Sequence, residues 1–401
     1  MRSAPTRVIY VTDAPTVAGA EHVLLSYIDR LRPPDFETHV FLRHTNVRLR
    51  DALARRGAAY TASESFSERI VRTTARPDDL WHFATRFRRV SRELTNLLRR
   101  SGAQILHSIS YPSALYAAFA ARSSGVRHIW HQHDIKRVHS FNWAIYRFAA
   151  DTCDYVVGPS NAVTSPLARA GMRPPRLCTV YNGIDLGRFV PESPHSHRTR
   201  QQLGLAEHQP AVCLVGQLLP YKGHRTLIDA APRILRHFPT TRFFIVGSLE
   251  NPPYEAALRA WIATADLDRH FEFTGWRSDV PDIIAAMDVS VVATTTPEPA
   301  ALTLMETMAV ARPVVASRTG GTPELVVDGE TGLLFGPGRS DELADRVIDL
   351  LRSPERRRQL GLAGRRRMEE CFSEDRHIQQ IVSLYETCRD RAAGVPLLRT
   401  A

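Results

Sequence analysis

Short runs rich in β-branched residues alternate with helix-length amphipathic segments along nearly the whole of this chain. That alternation is the pattern of a parallel sheet wrapped by helices. Strands are expected near residues 7–12, 38–43, 104–107, 127–132, 154–158 and 177–181, with helices between them. The alternation lapses from Leu186 to Arg198, where Pro191 and Pro194 stand among His and Ser with little apolar material, so a linker is expected there. It then restarts, with strands expected at Val212–Val215, Phe243–Val246, Phe271–Phe273, Val289–Val292 and Val314–Ala316. A chain of 401 residues exceeds one ordinary core and fits two. The reading is an α/β protein with a first Rossmann-like domain over 1–185 and a second over 186–371, the linker occupying about 186–198. Residues 372–401 are expected to form a helix that crosses back to the first domain. Ligands of such folds sit at the carboxyl ends of the strands.

Charge is unevenly spread. Residues 1–185 carry 26 Lys and Arg against 15 Asp and Glu, whereas residues 186–401 carry 26 against 27. A basic half without a nucleic-acid motif points to an anionic membrane surface or a phosphate-bearing substrate, and no nucleic-acid partner is expected. One helical segment concentrates the charge: Leu80, Phe83, Phe87, Val90, Leu94 and Leu97 recur at helical spacing, with Arg86, Arg88, Arg89, Arg92, Arg99 and Arg100 around them. Its apolar stripe fits packing on the sheet, and docking on anionic lipid stays open. No apolar stretch approaches the roughly 18 residues that span a bilayer. The start, Arg7-Val8-Ile9-Tyr10-Val11, reads as a first buried strand and not as the apolar core of a signal peptide. A cytoplasmic location is expected, with peripheral contact at the inner face of the membrane as an extension. Five cysteines, an odd number without C-x-x-C spacing, are expected to be buried thiols.

The second half carries the residues best suited to a phosphorylated ligand. The strand ending Val215-Gly216-Gln217 leads to Lys222-Gly223 at a helix start, where glycine permits close backbone approach, the helix N-terminus offers N–H groups and Lys222 adds full charge. Only Lys136 and Lys222 are lysines among 52 basic residues. Downstream, Thr295-Thr296-Pro297-Glu298-Pro299 leaves a strand and a helix over Ala301–Val310 carries Glu306. Eight helical residues span about 12 Å, too far for Glu298 and Glu306 to flank one glycosidic bond in the way of hydrolase carboxylates, so they must do different work. One suits sugar hydroxyls and the other both hydroxyls of a ribose. The N–H groups near Ala300, Ala301 and Leu302, with the Thr303 hydroxyl, suit phosphates.

The run from Glu298 to Glu306, followed by Arg312-Pro313-Val314-Val315-Ala316-Ser317 and Gly320-Gly321-Thr322-Pro323-Glu324, resembles the E-x7-E signature of retaining glycosyltransferases of family 4. Gly19-Ala20-Glu21 resembles that family's N-terminal glycine-rich loop, His133-Asp134 its active-site pair, and Asn182-Gly183-Ile184-Asp185 its interdomain motif. The resemblance implies a GT-B fold, with parallel sheets facing across an interdomain cleft, and metal-independent transfer from a nucleotide-diphosphate sugar to a saccharide or lipid-linked acceptor. It makes His133, Glu298 and Lys222 the catalytic candidates. Gly19, Gly216, Gln217, Lys222, Glu298, Ala300, Ala301, Leu302, Thr303 and Glu306 become the donor-binding candidates. No cofactor and no metal are expected.

Three positions depart from the family pattern: Gln217 stands where arginine is usual, Ala300-Ala301 where Phe-Gly is usual, and Ala311 where glycine is common. Arg225 is a candidate replacement for the missing cation. These departures motivate a second reading, a catalytically silent subunit that binds sugar nucleotides or serves as a scaffold. A dehydrogenase is disfavoured because no G-x-G-x-x-G follows any expected strand.

Overall fold

The computed structural model describes residues 4–66, 77–135, 147–172, 176–191, 195–248 and 251–392, except the side chains of 77–84 and 391–392. It divides into two compact units, Met1–Tyr181 with His377–Ala401, and Asn182–Arg376.

In the first unit the strands β1 (Thr6–Thr12), β2 (Phe36–Arg43), β3 (Ala59–Ser63), β4 (Ile105–Ser108), β5 (Arg127–His131), β6 (Tyr155–Gly158) and β7 (Leu177–Thr179) form one sheet. Their order is β3-β2-β1-β4-β5-β6-β7, and every pair is parallel. Strand alternation sorts the core onto the two faces. Val8, Tyr10, Ile105 and Ile129 pack with Leu24, Tyr27 and Ile28 of the Gly19–Arg30 helix. The same cluster takes Ile378, Ile381, Tyr385 and Cys388 from the C-terminal Glu374–Ala392 helix. On the opposite face Ile9, Val11 and Leu106 meet Val90, Leu94 and Leu98 of the arginine-rich Pro77–Ser101 helix. The apolar stripe of that helix is therefore spent on the sheet, while Arg88, Arg89, Arg92, Arg99 and Arg100 face solvent. Leu80 and Phe83 lie outside the described side chains.

The second unit repeats the plan. Its strands are β8 (Ala211–Val215), β9 (Arg242–Val246), β10 (Phe271–Gly275), β11 (Val289–Val292), β12 (Val314–Ser317) and β13 (Leu333–Phe335), in the order β10-β9-β8-β11-β12-β13 and again parallel. In both sheets the order reverses between the first and fourth strands of the unit. That switch point opens a crevice at the carboxyl ends, which here receives the loops after β8 and β11.

Two edge strands escape the sequence pattern: β3 reads Ala-Tyr-Thr-Ala-Ser and β13 has three residues, too little for a period to show. The expected linker is no loose tether either. Phe189 is buried, its carbonyl accepts from Arg365 Nη1 over 2.5 Å, and Ser196–Gln202 is helical. The second unit consequently begins at Asn182 and keeps Phe372, which is buried in it, so the chain returns to the first unit at His377 and not at 372. Among the cysteines Cys153, Cys213 and Cys388 are buried, whereas Cys178 is part-buried and Cys371 is exposed, against expectation.

Candidate active site

In the second unit β8, β9 and β10 each run into glycine, at Gly216, Gly247 and Gly275, which leaves the strand ends uncovered by side chains. The loops are pressed together there. A Cβ on Gly223 would stand 1.9 Å from the Ala293 carbonyl oxygen, and Gly223 also needs its φ of 78° to cap the His224–His237 helix. Only glycine meets both demands. Close approach lets the Thr295 N–H donate to Tyr221 O over 2.8 Å, fastening the loop after β11 to the Pro220–Lys222 turn.

Across this junction Lys222 Nζ pairs with Glu298 Oε1. Thr294 Oγ1 donates to the other carboxylate oxygen over 2.8 Å. The Glu298 backbone is clasped from behind, since the Gly321 N–H donates to Glu298 O over 2.9 Å and a Cβ on Gly320 would lie 2.0 Å from that same oxygen. The Gly320-Gly321 turn thus positions Glu298. Leu302–Ala309 is helical, beginning one residue after the expected Ala301, and no side chain caps it. Ala300 and Ala301 lead into that uncapped end, so the first N–H groups of the helix, with the Thr303 hydroxyl, are available to an anion. Glu298 stands in the loop before the helix and not on it. Glu306 lies about one turn inside, roughly 6 Å along the axis from Leu302. Burial raises the Glu306 carboxyl to about 7, with the Arg188 guanidinium pulling the other way. The residue keeps partial exposure, so a ligand can reach it.

Gln217 follows Gly216 in the loop after β8 and brings no charge. Arg225, the candidate replacement cation, has its Nε donating to Asp229 over 2.8 Å and its guanidinium 4.2 Å from the centre of the Trp261 ring. Two features escaped the sequence reading. Trp276, directly after β10, is 71% exposed, and Arg188 stands close enough to Glu306 to influence it.

In the first unit Gly19 opens the helix that follows β1. Ala18 supplies no side-chain acceptor, and the buried Glu21 accepts from the Ala18 N–H over 3.1 Å and from Thr12 Oγ1 over 3.1 Å. Burial raises the Glu21 carboxyl to about 7. His133 follows β5 and stacks on His131 with ring centres 4.1 Å apart. Gln132 pins the turn between them, its Nε2 donating to Asp134 O over 2.8 Å. Burial lowers the His133 imidazole to about 3. Behind it lie two hydrogen-bonded triads that the sequence reading did not anticipate, Tyr10–Tyr385–His107 and His131–Tyr27–His377, stacked on each other through Tyr10 on Tyr27 and His107 on His131. Their sequence signal was alternation: His107 and His131 fall on the same face of the sheet as Tyr10.

The family model for Glycosyltransferase Family 4 matches residues 17–188, and that for Glycosyl transferases group 1 matches residues 196–367. A GDP-mannose-dependent alpha-(1-6)-phosphatidylinositol monomannoside mannosyltransferase of Mycolicibacterium smegmatis is 30% identical over 269 residues, 63% of this chain and 68% of that protein. The chain belongs to glycosyltransferase family 4. An alpha-maltose-1-phosphate synthase of the same organism is 28% identical over 323 residues, 74% of this chain and 82% of that one. The crystal structure of Anabaena Alr3699/HepE in complex with UDP and glucose superimposes with a TM-score of 0.80 at 23% identity, covering 95% of this chain and 100% of that one, which shows the shared GT-B fold. This family 4 member is a glycosyltransferase drawing on a nucleotide sugar, and the silent-subunit reading is not favoured.

Proposed function

We propose that the second unit binds a nucleotide-diphosphate sugar, of the GDP-mannose or UDP-glucose kind, and that the first unit presents a saccharide or lipid-linked acceptor, in glycolipid or polysaccharide synthesis. The observation that carries this reading is the Lys222–Glu298 pair, which puts a cation and a carboxylate side by side at the strand switch point. In the reaction the bond from the anomeric carbon to the diphosphate oxygen breaks, the acceptor oxygen takes its place with retained configuration, and the acceptor hydroxyl passes its proton to the departing diphosphate oxygen. Negative charge grows on the leaving diphosphate. Lys222 and the N–H groups at Leu302 and Thr303 meet it, which is where fixed donors lower a barrier most. A metal ion is not required for that charge balance.

Glu298 holds hydroxyls of the transferring sugar and Glu306 holds the ribose. Gly216 and Gln217 let the backbone close on the phosphates, Trp276 covers the base, and Gly19 and His133 serve the transfer from the first unit. Membrane contact, on this reading, is purely electrostatic: the exposed arginines of the Pro77–Ser101 helix face anionic lipid while its described apolar stripe stays in the core.

The test is a panel of nucleotide sugars measured by thermal shift and by transfer to glycan and lipid-linked acceptors. Binding the folded state raises apparent stability, so the true donor shifts melting and supports turnover. Turnover that survives unchanged in both Lys222→Ala and Glu306→Ala would overturn the assignment.

A further inference from the structure

The polar network under the β1–β5 face can be solved for its protons. Tyr181 O, a carbonyl, only accepts, so the 2.7 Å contact requires a proton on His377 Nδ1. Burial lowers the His377 imidazole to about 4, so the ring is neutral and its Nε2 is a lone pair. That nitrogen is 2.9 Å from Tyr27 Oη and must accept the tyrosine's one proton. Tyr27 Oη is then left only with lone pairs toward His131 Nδ1, 3.2 Å away, so His131 Nδ1 is the donor. Each assignment forces the next. His131 is held as the Nδ1–H tautomer, its Nε2 a bare lone pair with no hydrogen-bond partner.

We propose that His131 is a positioning residue for His133, its ring orientation and tautomer fixed by a relay that starts at the Tyr181 carbonyl and passes through His377 on the C-terminal helix and Tyr27 on the Gly19–Arg30 helix. His133 stacks face to face on this locked ring, at 26° between planes, and its own Nε2 has no hydrogen-bond partner. Stacked on a plane held from behind, the His133 ring cannot rotate without losing the contact. The C-terminal helix, which bears His377, thereby acts on His133 through Tyr27 and His131. The assignment rests on the reading that His133 lies beside the transferring sugar.

The test uses the full-length protein labelled with 15N-histidine, with resonances assigned by single replacements. Neutral imidazoles report directly which nitrogen carries the proton. His131 is expected to be protonated at Nδ1. In Tyr27→Phe that preference is expected to be lost, and kcat to fall about ten- to a hundredfold with the donor KM unchanged. His377→Gln, whose amide oxygen can still accept from Tyr27, is expected to retain more activity than His377→Leu. A His131 protonated at Nε2 in the wild type overturns the relay, and that measurement needs no variant to fold. The expected tautomer with an unchanged kcat in a folded Tyr27→Phe overturns the positioning role while leaving the transferase reading intact. If Lys222→Ala and Glu306→Ala retain full turnover, it is the donor-site reading that fails, and the tautomer still reports on the relay.

Discussion

Lys222 and Glu298 meet as an ion pair between the loops after β8 and β11, their side chains 22% and 15% exposed. Both side chains are mostly buried, so removing the lysine leaves the Glu298 carboxylate without its cation and costs stability. On the proposed reading the pair also holds a cation where a diphosphate arrives. Lys222→Ala is therefore expected to lower the melting temperature modestly while lowering kcat/KM far more, about 100- to 1000-fold. Lys222→Arg keeps the charge, but its planar fork fits a lysine-shaped gap poorly and is expected to restore activity only in part. Steady-state kinetics beside a melting curve checks this, and a large stability loss with proportionate activity would reassign the pair to scaffolding.

Acid should unfold the protein readily, and the sign follows from the buried rings. Burial depresses His128 and His133 to about 3 and His377 to about 4, with His107 and His131 well below their ordinary value. In the unfolded chain each titrates near 6.5, so the stability these groups contribute is complete above that pH and lost as pH falls through it toward the folded values. Glu21 and Glu306 act oppositely: with folded values raised to about 7, they favour the folded state more as pH falls from 7 toward 4.5. His224, lowered to about 4, and His39, also lowered by burial, bring the histidines to seven, against Glu21, Glu306 and Asp13, whose carboxyl burial raises too, so unfolding near pH 5.5 takes up protons on balance. Urea midpoints are expected to drop steeply between pH 7 and 5.5; a flat profile would show that the histidines are not neutral in the fold.

Much of this was readable from residues, and the failures have physical causes. The strands β8, β9, β11 and β12 announce themselves as apolar runs because a parallel sheet covered on both faces needs them so. The half-exposed edge strand β3 carries no such requirement, and β13, though buried and apolar, is too short at three residues to show one. That Lys222 and Glu298 both follow strands was legible, and the fold brings them together, but the role of Gly320 as a clasp on Glu298 depends on a contact between residues 22 positions apart, which no local pattern encodes. The same holds for the His377–Tyr27 contact, made by residues 350 positions apart. The Arg225–Asp229 pair, one helical turn apart, is by contrast a local spacing that sequence alone displays.

Ala311 offers a test of stability free of the chemistry. It occupies the position after the Leu302–Ala309 helix and its cap Val310, where the Arg312 N–H donates to Thr307 O and the Ala311 N–H to Met308 O, a Schellman arrangement that favours glycine. Its φ of 55° is left-handed, so the alanine Cβ is strained. Ala311→Gly is expected to stabilise by about 0.5–1 kcal/mol, the strain relief exceeding the extra freedom of the unfolded chain. Gly361→Ala is expected to do the reverse, by about 1–3 kcal/mol, because its Cβ would fall 2.0 Å from the Ala311 carbonyl oxygen. Chemical denaturation of both variants measures this, and a destabilised Ala311→Gly would refute the strain.

Gly320 separates positioning from backbone strain. Its φ is 56°, and an added Cβ would stand 2.0 Å from Glu298 O and 2.5 Å from Glu298 N. Both atoms are backbone, so the clash can be relieved only by moving the loop that carries the Glu298 carboxylate. Gly338 supplies the control: its φ is 74°, equally left-handed, but a Cβ there meets nothing within 4 Å. Alanine at either position pays a similar conformational cost, about 1–2 kcal/mol. Only at Gly320 does the substitution also displace Glu298, the group proposed to hold the transferring sugar, and a shift near 1 Å there is expected to lower kcat about 100-fold. Gly338→Ala should keep wild-type kcat while losing stability through the backbone alone, and so less of it than Gly320→Ala. Equal activity in the two variants would mean that the Gly320-Gly321 turn merely closes a loop, and that Glu298 is held well enough by Lys222 and Thr294 without it.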